Sequence, residues 1–161
     1  HMISNALAAA SVGLAAGLPL EAVEEGLSCV ELSPLRMEIT NSSSGVTVIN
    51  DTYNANPTSM KAAINSLSML TCSGRKIAFL GLMAELGEQS SQAHIEVGRH
   101  AEELGVEVVA VETELYGTAR IAKLDNVVAE IEGMNLDKND AILFKASRVV
   151  GLETIVNDIV V

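Results

Sequence analysis

Four short apolar runs punctuate the chain: VTVIN at 46–50, KIAFLGLM at 76–83, VEVVAV at 106–111 and DAILFKAS at 140–147. A run of this length without strict polar alternation suits a strand buried on both faces, and such strands belong to parallel sheets covered by helices. The segments between them supply the helices. Residues 57–70 carry Met60, Ala63, Ile64 and Leu67 at helical spacing behind Pro57, which suits a first helical turn. A helix over 89–104 stops at Gly105, and another over 148–160 closes the chain. Residues 115–133 are expected to hold a short helix, a brief strand near 121–124 and a helix from Asp125. Strands and helices in this alternation give right-handed βαβ units, hence an α/β fold with an open, mostly parallel sheet and helices on both faces.

Upstream the pattern changes. Residues 3–16 have helical composition, Gly17-Leu18-Pro19 is a stop and restart, and 21–27 reads as a second short helix. A Ser33-Pro34 break follows, then LRMEIT at 35–40 as a strand, NSSSG at 41–45 as a turn and VTVIN as the returning strand. The expected division is 1–32 and 33–161, with His1-Met2 read as a cloning scar.

Aromatic residues make up only 2% of the chain against 48% hydrophobic, so the core is aliphatic. The net charge of −11, without a Lys/Arg-rich run, argues against nucleic acid and anionic membranes as partners. No apolar run is long enough to span a bilayer. Cys29 and Cys72 stand far apart without metal-site spacing and read as reduced thiols.

In open parallel sheets, ligands bind beyond the carboxyl ends of the strands. The polar residues of this chain collect at those ends. Asp51 to Asn56 follows one run: Asp51 offers two oxygens to a vicinal diol, while Asn54 and Asn56 both donate and accept. Asn56 also suits the cap of the helix that begins at Pro57. Met83 to Glu88 follows the next run, with Glu85 a candidate for an amine and His94 for a ligand or a backbone carbonyl. Lys145, Ser147 and Arg148 stand where the last strand meets a helix, an arrangement suited to a carboxylate or phosphate. The sequence contains no G-x-x-x-x-G-K-[ST] loop, no G-x-G-x-x-G and no G-x-S-x-G elbow. It offers ligand-binding turns without a triphosphate cradle, and no metal-ligand spacing.

NDTYNANPTSMKAA, with LRMEIT before it, GLMAELGEQS after it and FKASRVVGLE near the end, resembles the C-terminal part of the Mur ligases. The run Tyr53-Asn54-Ala55-Asn56-Pro57 matches the members that add D-Ala-D-Ala, where relatives carry a His in the equivalent turn. SNALAAASVGLAAGLPLEAVEEGL resembles the last helices of the family's central ATPase domain. The resemblance implies a Rossmann-like domain behind a helical remnant, the last third or so of a cytoplasmic bacterial ligase. It implies ATP and Mg2+ as cofactors and UDP-MurNAc-tripeptide and D-Ala-D-Ala as substrates. ATP would phosphorylate the substrate carboxylate, and the dipeptide amine would displace phosphate to form the amide. The chain's own central and N-terminal domains would be its partners. Alone it would bind no cofactor tightly, carry no catalytic residue and be inactive.

By the same resemblance, Arg36 and Asp51 would meet the ribose and phosphates of ATP, and Asn5 would lie near the adenine. Tyr53, Asn54 and Asn56 would line the junction of nucleotide and dipeptide. Lys145, Ser147 and Arg148 match a Lys-Gly-Ser-Arg turn that would hold the dipeptide carboxylate. Three departures stand out. Leu82 replaces an Asp, Ala146 replaces the Gly, which restricts the backbone if φ is positive there, and 112–126 is shorter than usual, suggesting a trimmed helix. Another Mur-type amino-acid ligase and a non-catalytic nucleotide-binding module remain open alternatives.

Overall fold

The computed structural model describes residues 2–30, 34–118 and 120–160. It divides into two units, the first ending at Ser33 and the second beginning at Pro34. The first unit holds α1 (Met2–Ala15) and α2 (Leu20–Ser28), separated at Gly17, which has φ +88°. A Cβ on Gly13 would stand 3.2 Å from Val23, the buried side chain of this unit, so glycine lets the two helices approach. Ser33, half of the expected break, lies outside the described residues.

The second unit is a six-stranded sheet in the order β1-β2-β6-β3-β4-β5. The strands are β1 (Glu38–Asn41), β2 (Thr47–Asn50), β3 (Lys76–Leu80), β4 (Glu107–Val111), β5 (Ile121–Ala122) and β6 (Ala141–Lys145). β1 runs antiparallel to β2, and every other pairing is parallel. Alternate residues of each strand face opposite layers. Ile49, Ala78, Leu80, Ala110 and Leu143 pack against Met60, Ile64 and Leu67 of α3 (Pro57–Met69) and Val97 and Ala101 of α4 (Ser90–Glu103). Val48, Ile77, Phe79, Val109, Ile142 and Phe144 pack against Val127 of α5 (Val127–Gly133) and Ile155 and Val156 of α6 (Glu153–Val160). The chain's two phenylalanines, Phe79 and Phe144, stack at 5.1 Å in this second layer. Burial on both faces explains why the strands read as unbroken apolar runs.

Three expected elements differ. The strand foreseen over 35–40 begins only at Glu38, because Leu35 and Met37 take left-handed φ values of 63° and 49°. No helix forms in the described part of 112–120, where the chain makes a turn at Leu115–Tyr116. The helix foreseen over 148–160 is interrupted: a 3-10 turn at Arg148–Val150 ends at Gly151, φ +74°, before α6 begins. No described helix is long and apolar enough to cross a membrane, and both cysteines are free.

β6, last in sequence, lies between β2 and β3. The carboxyl ends of these three strands therefore stand side by side, and the three polar segments singled out in the sequence leave from them.

Candidate functional site

Register brings the first pair together. Asn50 of β2 is paired with Phe144 of β6, and the Asp51 N–H continues the ladder to the Phe144 carbonyl at 2.9 Å. Asp51 and Lys145 are thus neighbours one step beyond, on the α3 and α4 side of the sheet. Both are buried, at 8% and 2% exposure. Lys145 Nζ donates to Asp51 Oδ2 at 2.5 Å and to the Asn54 carbonyl at 2.9 Å, with the Asp51 carbonyl at 3.5 Å. An ammonium has three N–H bonds, so this cation is committed inside the domain.

The other Asp51 oxygen holds a loop. Oδ1 accepts the Met37 N–H at 3.2 Å, and the Tyr53 N–H donates to the Leu35 carbonyl at 3.1 Å. Arg36 is carried between the two left-handed residues, a backbone state that side chains with a Cβ adopt at a cost of about 1–2 kcal/mol each. The outcome is a defined place for its guanidinium, 4.1 Å from the Tyr53 ring centroid. Arg148 reaches the same ring at 5.9 Å. Tyr53 itself is 40% exposed. Arg75, Arg99 and Arg120 each pair with a glutamate, whereas Arg36 and Arg148 pair with no described carboxylate. On a chain of net charge −11, two such guanidiniums over one ring are a place for an anion.

Ser147 is buried and serves as a spacer between loops. Its Oγ accepts the Ala84 N–H at 2.9 Å and lies 3.4 Å from the Ala55 carbonyl, while its N–H donates to the Leu82 carbonyl at 2.9 Å. His94 supports the same loop from below. It is fully buried, its Nε2 accepts the Met83 N–H at 2.9 Å and its Nδ1 meets the Ser90 carbonyl at 2.6 Å. These partners fix the neutral Nδ1–H tautomer, and burial pushes its pKa below the usual histidine range. Tyr116 packs edge-on to it at 4.9 Å and donates to the Gly81 carbonyl at 2.7 Å, and burial pushes its phenol upward.

The remaining candidates are spread more widely. Asn56 caps α3 with a capping box: its side chain accepts the Ser59 N–H at 2.9 Å, and Ser59 Oγ accepts the Asn56 N–H at 3.1 Å. Asn54 is exposed, its Oδ1 taking the Ala55 N–H at 2.8 Å. Glu85 is exposed with φ +65° and makes no ion pair with a described residue. Asn5 lies exposed on α1 of the first unit. No three described His, Cys, Asp or Glu side chains gather as metal ligands. Sequence reasoning missed Leu35, Met37 and Tyr116, since neither a left-handed leucine nor a tyrosine bonded to a distant carbonyl leaves a local signal.

The family model described as "Mur ligase, glutamate ligase domain" matches residues 35–148. The chain belongs to the Mur ligase family. Among curated relatives, the UDP-N-acetylmuramoyl-tripeptide–D-alanyl-D-alanine ligase of Bacillus subtilis is 36% identical over 175 residues, covering 99% of this chain and 38% of the relative. MurF from Acinetobacter baumannii superposes with a TM-score of 0.83 at 32% identity, covering 99% of this chain and 37% of that one. MurF from Thermotoga maritima in complex with ADP gives 0.74 at 29% identity, covering 91% and 35%. The chain thus spans less than two fifths of the length of these proteins.

The departures from the Mur ligase pattern can now be placed. Ala146 is buried and is not among the residues with positive φ, so the exchange for Gly asks nothing unusual of the backbone. Its methyl fills space left by Gly81, where a Cβ would come within 2.7 Å of it. Leu82 contributes its carbonyl to Ser147, a bond that does not depend on its side chain.

Proposed function

We propose that this chain is the C-terminal part of an ATP-dependent ligase that joins D-Ala-D-Ala to UDP-MurNAc-tripeptide in peptidoglycan precursor synthesis, in the bacterial cytoplasm. The observation that carries it is the pair of guanidiniums, Arg36 and Arg148, which pair with no described carboxylate and lie over Tyr53 at the carboxyl ends of three adjacent parallel strands. The names of the curated relatives support the substrates, and the ADP complex of the Thermotoga maritima protein supports the nucleotide. In this reading Arg36 meets the nucleotide phosphates and Arg148 the dipeptide carboxylate. Tyr53, Asn54 and Asn56 line the junction between them. Guanidiniums fit phosphate and carboxylate oxygens through their forked donors. Mg2+ would accompany the triphosphate in a part that supplies its cradle, because the donor set here is cationic and amide-rich.

The test is Arg148→Ala in the whole ligase. Loss of a charge-assisted contact costs about 1.5–3 kcal/mol, so the KM for D-Ala-D-Ala is expected to rise by roughly tenfold or more, and the KM for ATP much less. An unchanged dipeptide KM would overturn the assignment of the carboxylate to Arg148.

A further inference from the structure

We propose that Lys145 and Asp51 act together as positioning residues, fixing the Asp51–Asn54 turn and so setting Tyr53 beneath Arg36 and Arg148. The inference rests on the ligase reading only for its kinetic test. Its geometric basis is independent of that reading. One ion pair reaches three segments. Lys145 ends β6, three residues before Arg148. Asp51 Oδ1 takes the Met37 N–H next to Arg36, while Oδ2 takes Lys145. Tyr53 lies between Asp51 and Asn54, and both of these residues are bonded to the same ammonium.

The chemistry of the pair favours geometry over stability. A buried ion pair seldom stabilises a fold more than well-packed apolar residues of similar volume, because both charges lose their hydration. What it supplies here is direction: a short, charge-assisted bond with one partner geometry. Lys145 has no N–H left for an incoming anion, so it acts through the turn it holds. The exposed cation of the strand-end cluster is Arg148.

In the whole ligase, Lys145→Met and Asp51→Asn are each expected to lower kcat/KM for D-Ala-D-Ala by about tenfold or more, chiefly through KM. The double variant is expected to fall no further than the worse single one, since either change breaks the same tie. A purely structural role would lower the folded fraction and leave KM alone. Multiplied losses in the double variant would mean independent ligand contacts and would overturn the proposal. Unchanged KM in both single variants would do the same.

A second measurement needs no ligase activity. Tyr53 and Tyr116 are the only tyrosines of the 161-residue chain, so two-dimensional proton–carbon NMR resolves the Tyr53 ring directly. Its signals are expected to move toward random-coil positions in Asp51→Asn, which keeps the side chain's shape and serves where Lys145→Met does not fold. Unmoved Tyr53 signals in a folded variant would overturn the positioning role whatever the assay gives. A whole ligase indifferent to D-Ala-D-Ala, together with displaced Tyr53 signals, would remove the substrate reading and support the tie.

Discussion

His94 shows how one side chain's ionisation bears on the candidate site. Its ring has no exposed surface and accepts the Met83 N–H, so protonation would cost that bond and bury a charge. Burial lowers its pKa in the folded state, whereas the unfolded chain titrates near the ordinary value of about 6.5. Between the two values the unfolded state binds more protons, so stability rises with pH across that window. The His94 contribution is complete above about pH 6.5 and is lost as the pH falls toward the folded value. The Tm of the chain is therefore expected to drop between pH 7.5 and 5.5, and to drop less in His94→Gln. Equal slopes in the two proteins would show that another group governs the transition. The sequence offered His94 as a possible support for a ligand or a carbonyl. Its real neighbours could not be read there, because Met83 lies 11 residues away across a loop whose path depends on β6.

Helix α3 joins the candidate site to the core at the scale of an element. Pro57 pre-sets its first turn, and the capping box of Asn56 and Ser59 satisfies backbone donors that an α-helix leaves unpaired at its start. Asn56→Ala is expected to destabilise the chain by about 0.5–2 kcal/mol in urea unfolding, with the slope of the transition unchanged. Ser59→Ala should cost less after Asn56→Ala than before it, because the two halves of the box depend on each other. Full additivity would mean that the box does not act as a unit. The core strands were legible as unbroken apolar runs and the helices by their period of 3.6, each with a local stop. Their neighbours were not. That β6 inserts between β2 and β3 is a property of the sheet, and the bond from Lys145 to Asp51 spans 94 residues. Lys145 consequently read as a free cation at a strand end, while Arg148, in the same turn, is the one left exposed. The loop at 35–37 read as strand because nothing in Leu-Arg-Met announces two left-handed residues.

For the whole molecule, the proposed function makes the arrangement one wall of a site. The sequence holds no triphosphate-binding loop, and the described residues bring no metal-ligand group together. On the proposed function, the exposed cationic face at Tyr53 binds an anion and orients it. Orientation alone accounts for part of a catalysed rate, through the entropy saved when reactants are held in place. Charge stabilisation at the transferring phosphoryl group needs cations aimed at its oxygens from more than one side. The 161-residue chain by itself is therefore expected to give no ADP release dependent on D-Ala-D-Ala. On the proposed function, the whole ligase is expected to give it under the same conditions, and Arg148→Ala is expected to weaken it through the dipeptide KM. A coupled assay for ADP, run on the chain with ATP, Mg2+, UDP-MurNAc-tripeptide and dipeptide at saturating levels, decides the matter. Release above the dipeptide-free background would place activating groups within these residues and overturn the reading of a single wall.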